Sequence, residues 1–369
     1  MKKTTEKTEN KSKELQILKS WLKDERLCAE AREELKSIEK NAEEVEYRFG
    51  GELEFGTAGM RGIIGYGTNM MNIYTVKRAT QGLCEFLKTL GNKAMAKGVV
   101  ISYDTRLKSD EFAKVSAEVL ASYNIPAYVF DDVHPVPMLS YAVRQMKAIA
   151  GIMVTASHNP KQFNGYKVYG QDGAQMSPED TKVVVGFIDK ITDYLGSPVP
   201  TESQVKKYIK SVPASVDKKY YKELTKLTLS KKAVKKVGKD LKLVYTPIHG
   251  SGYIPVTTIL KKIGINTTVV MDQATKDYEF STVEVPNPEF KETLSMGIGL
   301  ADKIGANVVF GTDPDCDRLG VVVKNLEGEF EGLSGNQVGI LLLDYVLTRL
   351  KEENKLPANA GVVKSYVST

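Results

Sequence analysis

The chain has 369 residues, 42% of them apolar and 26% charged, with a net charge of +5. That is the composition of a globular protein with two or three domains, and it excludes several classes. The cysteines Cys28, Cys84 and Cys316 are too scattered for a disulfide framework or a structural zinc site, no run approaches the ~20 apolar residues of a membrane span, and no concentrated basic stripe with interleaved aromatics marks a nucleic-acid binder.

Residues 1–12 are polar and hold no apolar core for a signal peptide. They read as a disordered tail, and a reducing cytoplasm is the expected address. Leu15, Leu18 and Leu22, then Leu27, Leu35 and Ile38, give an amphipathic pattern that predicts helices over residues 13–47. A glycine-rich loop follows, Gly56-Thr57-Ala58-Gly59-Met60-Arg61-Gly62. Val99-Val100-Ile101 reads as a strand leading to Asp104-Thr105-Arg106 and a helix over 109–123, and residues 149–154 read as a strand leading to the Ser157 loop. Apolar strands alternating with helices predict α/β layers, with the sheet covered by helices.

Gly196-Ser197-Pro198-Val199-Pro200-Thr201 has the composition of a linker. Beyond it come a helix over 216–227, a basic stretch over 231–242 that reads as a solvated helix surface, and a strand over 241–245. That strand ends in Thr246-Pro247-Ile248-His249-Gly250-Ser251-Gly252 before a helix to about 262. A buried-strand pattern over 306–310 runs into Gly311-Thr312-Asp313, and Ser334-Gly335-Asn336 can cap the apolar helix 338–350. Three apolar runs, at 99–104, 241–246 and 361–369, each enter a polar turn, which suggests repeated α/β domains. The expected division is domain 1 at 13–204, domain 2 at 205–325, and the start of a third, truncated domain at 326–369. The alternative for the last strand is addition to a neighbouring sheet.

Asp313-Pro314-Asp315-Cys316-Asp317-Arg318 is the strongest chemical signal. Three carboxylates at i, i+2, i+4 repel one another unless a cation draws them together, and carboxylate oxygens suit Mg2+ or Ca2+. An EF-hand is excluded, because Arg318 and Lys324 stand where it needs glycine and glutamate. An acidic solvent turn is the alternative; the apolar strand that delivers the loop favours the metal, since ligands gather at strand C-termini in open α/β sheets. Thr155-Ala156-Ser157-His158-Asn159-Pro160 also follows an apolar strand. Ser157 alone reads equally as a turn residue or a nucleophile, and no Gly-x-Ser-x-Gly elbow is present. Only His134, His158 and His249 exist to form a triad. Lys167 is a proton carrier or a surface charge. The Gly56–Gly62 segment can bring backbone N–H groups to an anion, with Arg61 as a bidentate clamp, or it is a tight turn. Neither a P-loop nor a Gly-x-Gly-x-x-Gly loop occurs.

Together these segments resemble the α-D-phosphohexomutase superfamily. Residues 155–160 resemble its phosphoserine loop, 313–318 its metal loop and 56–62 its N-terminal active-site loop, and Asn164–Lys167, Tyr103–Arg106, Thr246–Gly252 and Gly335–Gln337 match further segments. Leu53-Glu54-Phe55 ahead of Gly-Thr-Ala-Gly, behind a helical extension, is most similar to the phosphoglucomutase-2/phosphopentomutase subgroup. The resemblance implies repeated three-layer α/β domains with mixed sheets and a mutase that interconverts hexose 1- and 6-phosphates, of glucose first. It implies a phosphorylated Ser157 and a Mg2+ ion held by Ser157, Asp313, Asp315 and Asp317, with glucose 1,6-bisphosphate as activator and intermediate. His158 and Lys167 would serve proton transfer; Arg61, Thr57, Arg318 and Asp317 would contact phosphate or substrate. Alternatives within reach are a phosphopentomutase or phosphomannomutase, a sugar-bisphosphate synthase, and a metal-binding fragment of low activity. Family members continue into a sugar-recognition loop and a fourth, phosphate-gripping domain, so a chain ending at Thr369 is expected to be a poor mutase. The expected partner is a small phosphosugar, with neither nucleic acid nor membrane.

Overall fold

The structure, a computed structural model, describes residues 2–56, 59–365 and 368. It divides into two compact units: Met1–Ala156 with Lys161–Val212, and Ser157–Pro160 with Pro213–Thr369.

The first unit opens with helices α1 (Lys2–Lys23), α2 (Ala29–Ile38) and α3 (Ala42–Phe49). Their inward residues Leu18, Trp21, Leu35 and Phe49, with Leu27 from the turn between α1 and α2, share a core with Tyr66, Tyr74 and Tyr194. Trp21 meets Phe49 and Tyr74 edge-on, with ring centroids 5.5 and 5.6 Å apart, the geometry that aromatic quadrupoles favour. The spacing expected over 13–47 is therefore realised, with turns between the helices. The expected disordered tail differs: helical backbone begins at Lys2. That tract has no glycine or proline, and its lysines and glutamates are good helix formers. Because Trp21 is nearly fully buried, Trp21→Ala is expected to cost about 3–5 kcal/mol. A urea-unfolding midpoint that stays at the parent value would show that the helical layer is not coupled to the rest of the unit.

Thereafter the unit runs through β1 (Phe55–Gly56), β2 (Gly59–Ile63), α4 (Ile73–Thr89), α5 (Asn92–Met95), β3 (Val99–Tyr103), α6 (Ser109–Ser122), β4 (Ala127–Val129), α7 (Val136–Met146), β5 (Ala150–Val154), β6 (Phe163–Gly170), α8 (Pro178–Ile188), α9 (Glu202–Tyr208) and β7 (Ile209–Ser211). The sheet order is β1-β2-β6-β5-β3-β4-β7. Strands β4, β3 and β5 are parallel, and β6 is antiparallel to β5. Strand β5 is buried along its whole length, as a strand covered on both faces must be. The chain steps from β3 to β4 through α6, then passes back across β3 to β5 through α7. Right-handed crossovers in opposite directions put α6 and α7 on opposite faces. The reversal leaves a crevice between the C-terminal ends of β3 and β5, where open α/β sheets bind ligands. Strand β7 pairs with β4, so this sheet reaches residue 211, past the expected boundary at 204; α9, started by a Thr201–Gln204 capping box, turns the chain back onto the sheet edge.

The second unit holds α10 (Ser215–Lys226), α11 (Lys231–Val237), β8 (Leu243–Thr246), α12 (Tyr253–Ile263), β9 (Thr267–Val269), α13 (Ser295–Ile304), β10 (Val308–Thr312), β11 (Leu319–Lys324), β12 (Phe330–Leu333) and α14 (Gly335–Glu352). Its sheet, ordered β12-β11-β10-β8-β9, repeats the same plan. Strands β8, β9 and β10 are parallel, with β11 antiparallel to β10, and the chain again reverses direction, here between β8 and β10. Strand β12 completes this sheet against β11, beyond residue 325 where the second domain was expected to end. The cap expected ahead of α14 is present and is a capping box, with Ser334 as the cap and Gln337 as its partner. Residues 361–365, read as part of a strand from their apolar run, lie in no regular element among the described residues; Tyr366, Val367 and Thr369 lie outside them. Among the described residues no helix is long and apolar enough to cross a membrane.

Candidate active site

In the first unit, β3 delivers Asp104 and β5 delivers Thr155 to the two sides of the crevice. Asp104 is buried, and one carboxylate oxygen accepts the Thr155 hydroxyl at 2.6 Å. The other accepts Ser109 Oγ at 2.7 Å and the Arg106 backbone N–H at 3.0 Å, while Arg106 Nε stands 3.4 Å from the first. Burial raises the carboxyl's pKa above its ordinary value, against the pull of Arg106 and the donors. The cluster pins the strand end from which the Ser157 loop departs. Nothing in the local sequence marks Asp104 for that role, because its partner Thr155 is far along the chain.

The glycine-rich segment, expected as a loop, is mostly an edge hairpin. Phe55 and Gly56 of β1 pair with Met60 and Gly59 of β2; Thr57 lies outside the described residues, as does Ala58. Gly59 has φ 96°, and a Cβ there would sit 2.0 Å from the Tyr166 carbonyl oxygen, so glycine alone lets β2 lie against β6. Arg61 stands opposite Gly165 in that register, and Lys167 follows two residues on, on the same face of the sheet. Arg61 is exposed, whereas Lys167 is buried.

The second unit gathers Ser157 with the aspartates. Ser157 is buried and has φ 51°, a left-handed backbone that a non-glycine residue seldom adopts. Its Oγ donates to Asp313 Oδ2 at 2.8 Å and lies 3.2 Å from His158 Nδ1. The loop 313–318 joins β10 to β11, whose last paired residues are Thr312 and Leu319. Asp313 Oδ1 accepts the backbone N–H groups of Asp317 and Arg318 at 3.1 and 3.0 Å, so the loop is folded around this carboxylate. Arg318 directs its guanidinium to Glu289 Oε1, 3.2 Å away, a partner that the sequence does not reveal.

A second loop, at the end of β8, braces the first. Ser251 donates both its N–H and its hydroxyl to the Pro314 carbonyl at 2.8 Å. A Cβ on Gly250 would lie 2.5 Å from Pro314 Cα. Ile248 and His249 are left-handed, as is Cys316, so strained backbone is concentrated on these loops, as it is at functional sites generally. His249 is buried and held by the Thr275 carbonyl at 3.0 Å and the Thr282 hydroxyl at 2.8 Å, and Gln273 bridges Thr282 to Thr246. It supports the loop. His134 stacks on Phe130 with ring centroids 4.1 Å apart.

Comparison with known proteins places this arrangement. Residues 52–195 match the phosphoglucomutase/phosphomannomutase α/β/α domain I, and residues 218–328 match domain II. A phosphoglucomutase of Staphylococcus epidermidis is 40% identical over 320 residues, which is 86% of this chain and 56% of that protein. One from Staphylococcus aureus is 37% identical over 91% of this chain and 59% of its own length. The chain belongs to the α-D-phosphohexomutase superfamily. Among solved structures, a Thermus thermophilus protein provisionally assigned as a phosphomannomutase aligns with a TM-score of 0.67 at 25% identity, covering 81% of this chain and 62% of that one. A Burkholderia thailandensis phosphoglucomutase/phosphomannomutase family protein aligns at 0.60 and 20% identity, over 80% and 59% of the two chains, and so shares the fold. The chain thus spans a little over half the length of the curated phosphohexomutases it matches.

Within this phosphohexomutase fold the donor set fits a hard divalent cation. Asp313, Asp315 and Asp317 each place an oxygen within 4.8 Å of the others, and Asp313 and Asp315 are fully buried. Burial, and then the charges of Asp315 and Asp317, push the Asp313 carboxyl up to about 9. Three carboxylates so close, two of them buried and the exposed Asp317 beside them, are all ionised readily only with a counter-charge among them. An all-oxygen set with no imidazole or thiolate suits Mg2+.

Proposed function

We propose that the chain acts as a phosphosugar mutase, moving phosphate between the 1- and 6-positions of a hexose, glucose first, by way of phosphorylated Ser157. The observation that carries this reading is a buried, left-handed serine whose Oγ is 2.8 Å from Asp313, a buried carboxylate of a three-aspartate cluster. A hydrolase reading is less well supported, since Ser157 Oγ donates directly to a carboxylate of the aspartate cluster and no Gly-x-Ser-x-Gly elbow surrounds it.

In the first half-cycle the sugar 6-hydroxyl attacks phosphorus on Ser157. The P–Oγ bond breaks as the P–O6 bond forms, and the hydroxyl proton passes to a base. Lys167 and His158 are the residues assigned to proton transfer. The freed Oγ takes up a proton and the resulting bisphosphate turns over. Ser157 Oγ then attacks the phosphorus at position 1, and the P–O1 bond breaks as the P–Oγ bond forms. The Oγ proton leaves toward His158 Nδ1, and O1 takes up a proton to become the free hydroxyl. Asp313, Asp315, Asp317 and Ser157 would hold Mg2+, which would neutralise charge on the transferring phosphoryl group. Arg61 and Arg318, with Thr57 and Asp317, are assigned to phosphate or substrate. Phosphoryl transfer of this kind depends chiefly on positioning and charge neutralisation.

Incubation of the full chain with glucose 1,6-bisphosphate and Mg2+ is expected to place one phosphoryl group on Ser157, located by peptide mass spectrometry. Glucose 1-phosphate is expected to appear as glucose 6-phosphate in a coupled assay. Parallel assays with ribose and mannose phosphates decide among the phosphoglucomutase, phosphopentomutase and phosphomannomutase activities. Phosphate found only on other residues would end the Ser157 reading.

A further inference from the structure

The net charge of the chain is not evenly spread. Residues 215–242 hold ten lysines against three carboxylates, Asp217, Glu223 and Asp240, a larger surplus than the +5 of the whole chain. In the second unit this segment folds back as α10 and α11 beside the C-terminal end of α12, and the three border an open cavity of about 680 Å³. Lys218 and Lys222 of α10, Lys231 and Lys235 of α11, Lys239 just beyond it and Lys262 of α12 line this space. Among the described residues none of these six forms an ion pair. A seventh, Lys226, is paired with Glu223 at 2.8 Å. No aspartate or glutamate lines the cavity; Tyr221, Thr225 and Ile263 contribute hydroxyl and apolar surface.

The six lysines are exposed, as a solvated helix surface requires, but their shared placement goes beyond that reading. Lys218–Lys222 and Lys231–Lys235 are i,i+4 pairs of like charge, each of which opposes its own helix. A surface selected only for solubility would intersperse carboxylates, as the rest of this chain does. Here two such pairs and Lys262 border the same concavity, where like charges reinforce one another's field. The cavity is within the size range of small-ligand sites. A compact anion with several charges would relieve the repulsion on all three elements together. Lysine ammonium groups, as rotatable point charges, suit phosphate without demanding one geometry.

The site is distinct from the aspartate loop. Gly252, which precedes α12, abuts that loop, for a Cβ there would lie 2.7 Å from Thr312 Oγ1 and 2.9 Å from Cys316 Sγ. Lys262 is at the far end of α12, an eleven-residue helix and so about 16 Å away. We propose that this lysine-lined cavity binds the phosphate chain of a small oligophosphate, either free or carried by a nucleotide.

The test is calorimetric titration of the full chain with inorganic tripolyphosphate in EDTA, at low and at physiological salt. Saturable one-to-one binding is expected, weaker at the higher salt and unchanged by excess glucose 1,6-bisphosphate. Combining Lys222→Gln, Lys235→Gln and Lys262→Gln, one from each helix, is expected to weaken it roughly tenfold or more. The charge-matched combination of Lys206→Gln, Lys207→Gln and Lys210→Gln, outside the cavity, should leave it unchanged. Should the first combination lower the melting temperature, Lys262→Gln alone is read instead, with a smaller loss in the same direction. ATP binding more tightly than tripolyphosphate through the same lysines would identify a nucleotide as the source, and equal binding a free oligophosphate. Equal losses in both combinations, displacement by glucose 1,6-bisphosphate, or no saturation would overturn the proposal. Tighter binding of a single-stranded oligoribonucleotide through the same lysines would overturn it too, in favour of a nucleic-acid surface.

Discussion

Ser157→Ala is expected to abolish phosphoryl transfer from glucose 1,6-bisphosphate, a loss of at least ~10⁴-fold. The nearest other hydroxyl in the loop cannot take over. Thr155 is buried, and its Oγ1 is committed to Asp104 at 2.6 Å. His158 remains but has no oxygen to activate. Loss of activity alone would not separate chemistry from folding, because Ser157 also donates to Asp313. Ser157→Gly provides that separation. Glycine accepts the left-handed φ of 51° without the cost borne by a Cβ, so its loop is no more strained than the parent's. Both variants should melt close to the parent and both should lack transfer. Transfer by the glycine variant at even a few per cent of the parent rate would show that another group carries the phosphate.

The parts of this site that could be read from the sequence are those where an apolar strand runs directly into a polar turn. The apolar runs 149–154 and 306–310 announce Ser157 and Asp313 in that way, and strands form there as Ala150–Val154 and Val308–Thr312. The spacing of the aspartates carries its own electrostatic argument, which the 4.8 Å cluster supports. What stayed hidden depends on partners far away in the chain. Asp104 acquires its role from Thr155, 51 residues on, and Gln273 and Thr282 from Thr246 and His249. Glu289 meets Arg318 only through the fold. Glycine-rich sequence also misled, since Gly56 and Gly59 lack side chains that could alternate, so the β1–β2 hairpin left no periodic trace. The lysines of 231–242 showed their charge but not their common cavity, because Lys222 and Lys262 come from other helices.

Asp315→Ala is expected to weaken Mg2+ binding by at least ~100-fold, a larger loss than the removal of a supporting residue causes. Asp315 is fully buried within the cluster, so water cannot easily replace its oxygen. Glu327→Ala and Glu329→Ala, on the turn between β11 and β12, should leave binding unchanged. Proton linkage supplies an independent check on the same group. The Asp313 carboxyl sits at about 9 in the folded metal-free chain, against 3.8 ordinarily. The folded state therefore holds a proton that the unfolded state has released, and stability from this group is full below pH ~4 and falls as pH rises toward 9. Metal must displace that proton, so Mg2+ affinity is expected to rise with pH over the same window. Saturating Mg2+ should accordingly flatten the fall of melting temperature between pH 6 and 9. In Asp315→Ala the first of the two neighbouring charges that raise Asp313 is gone, so the metal-free slope should diminish as well. Unchanged Mg2+ binding in that variant would leave the cluster without the role proposed for it, whatever the melting curves did.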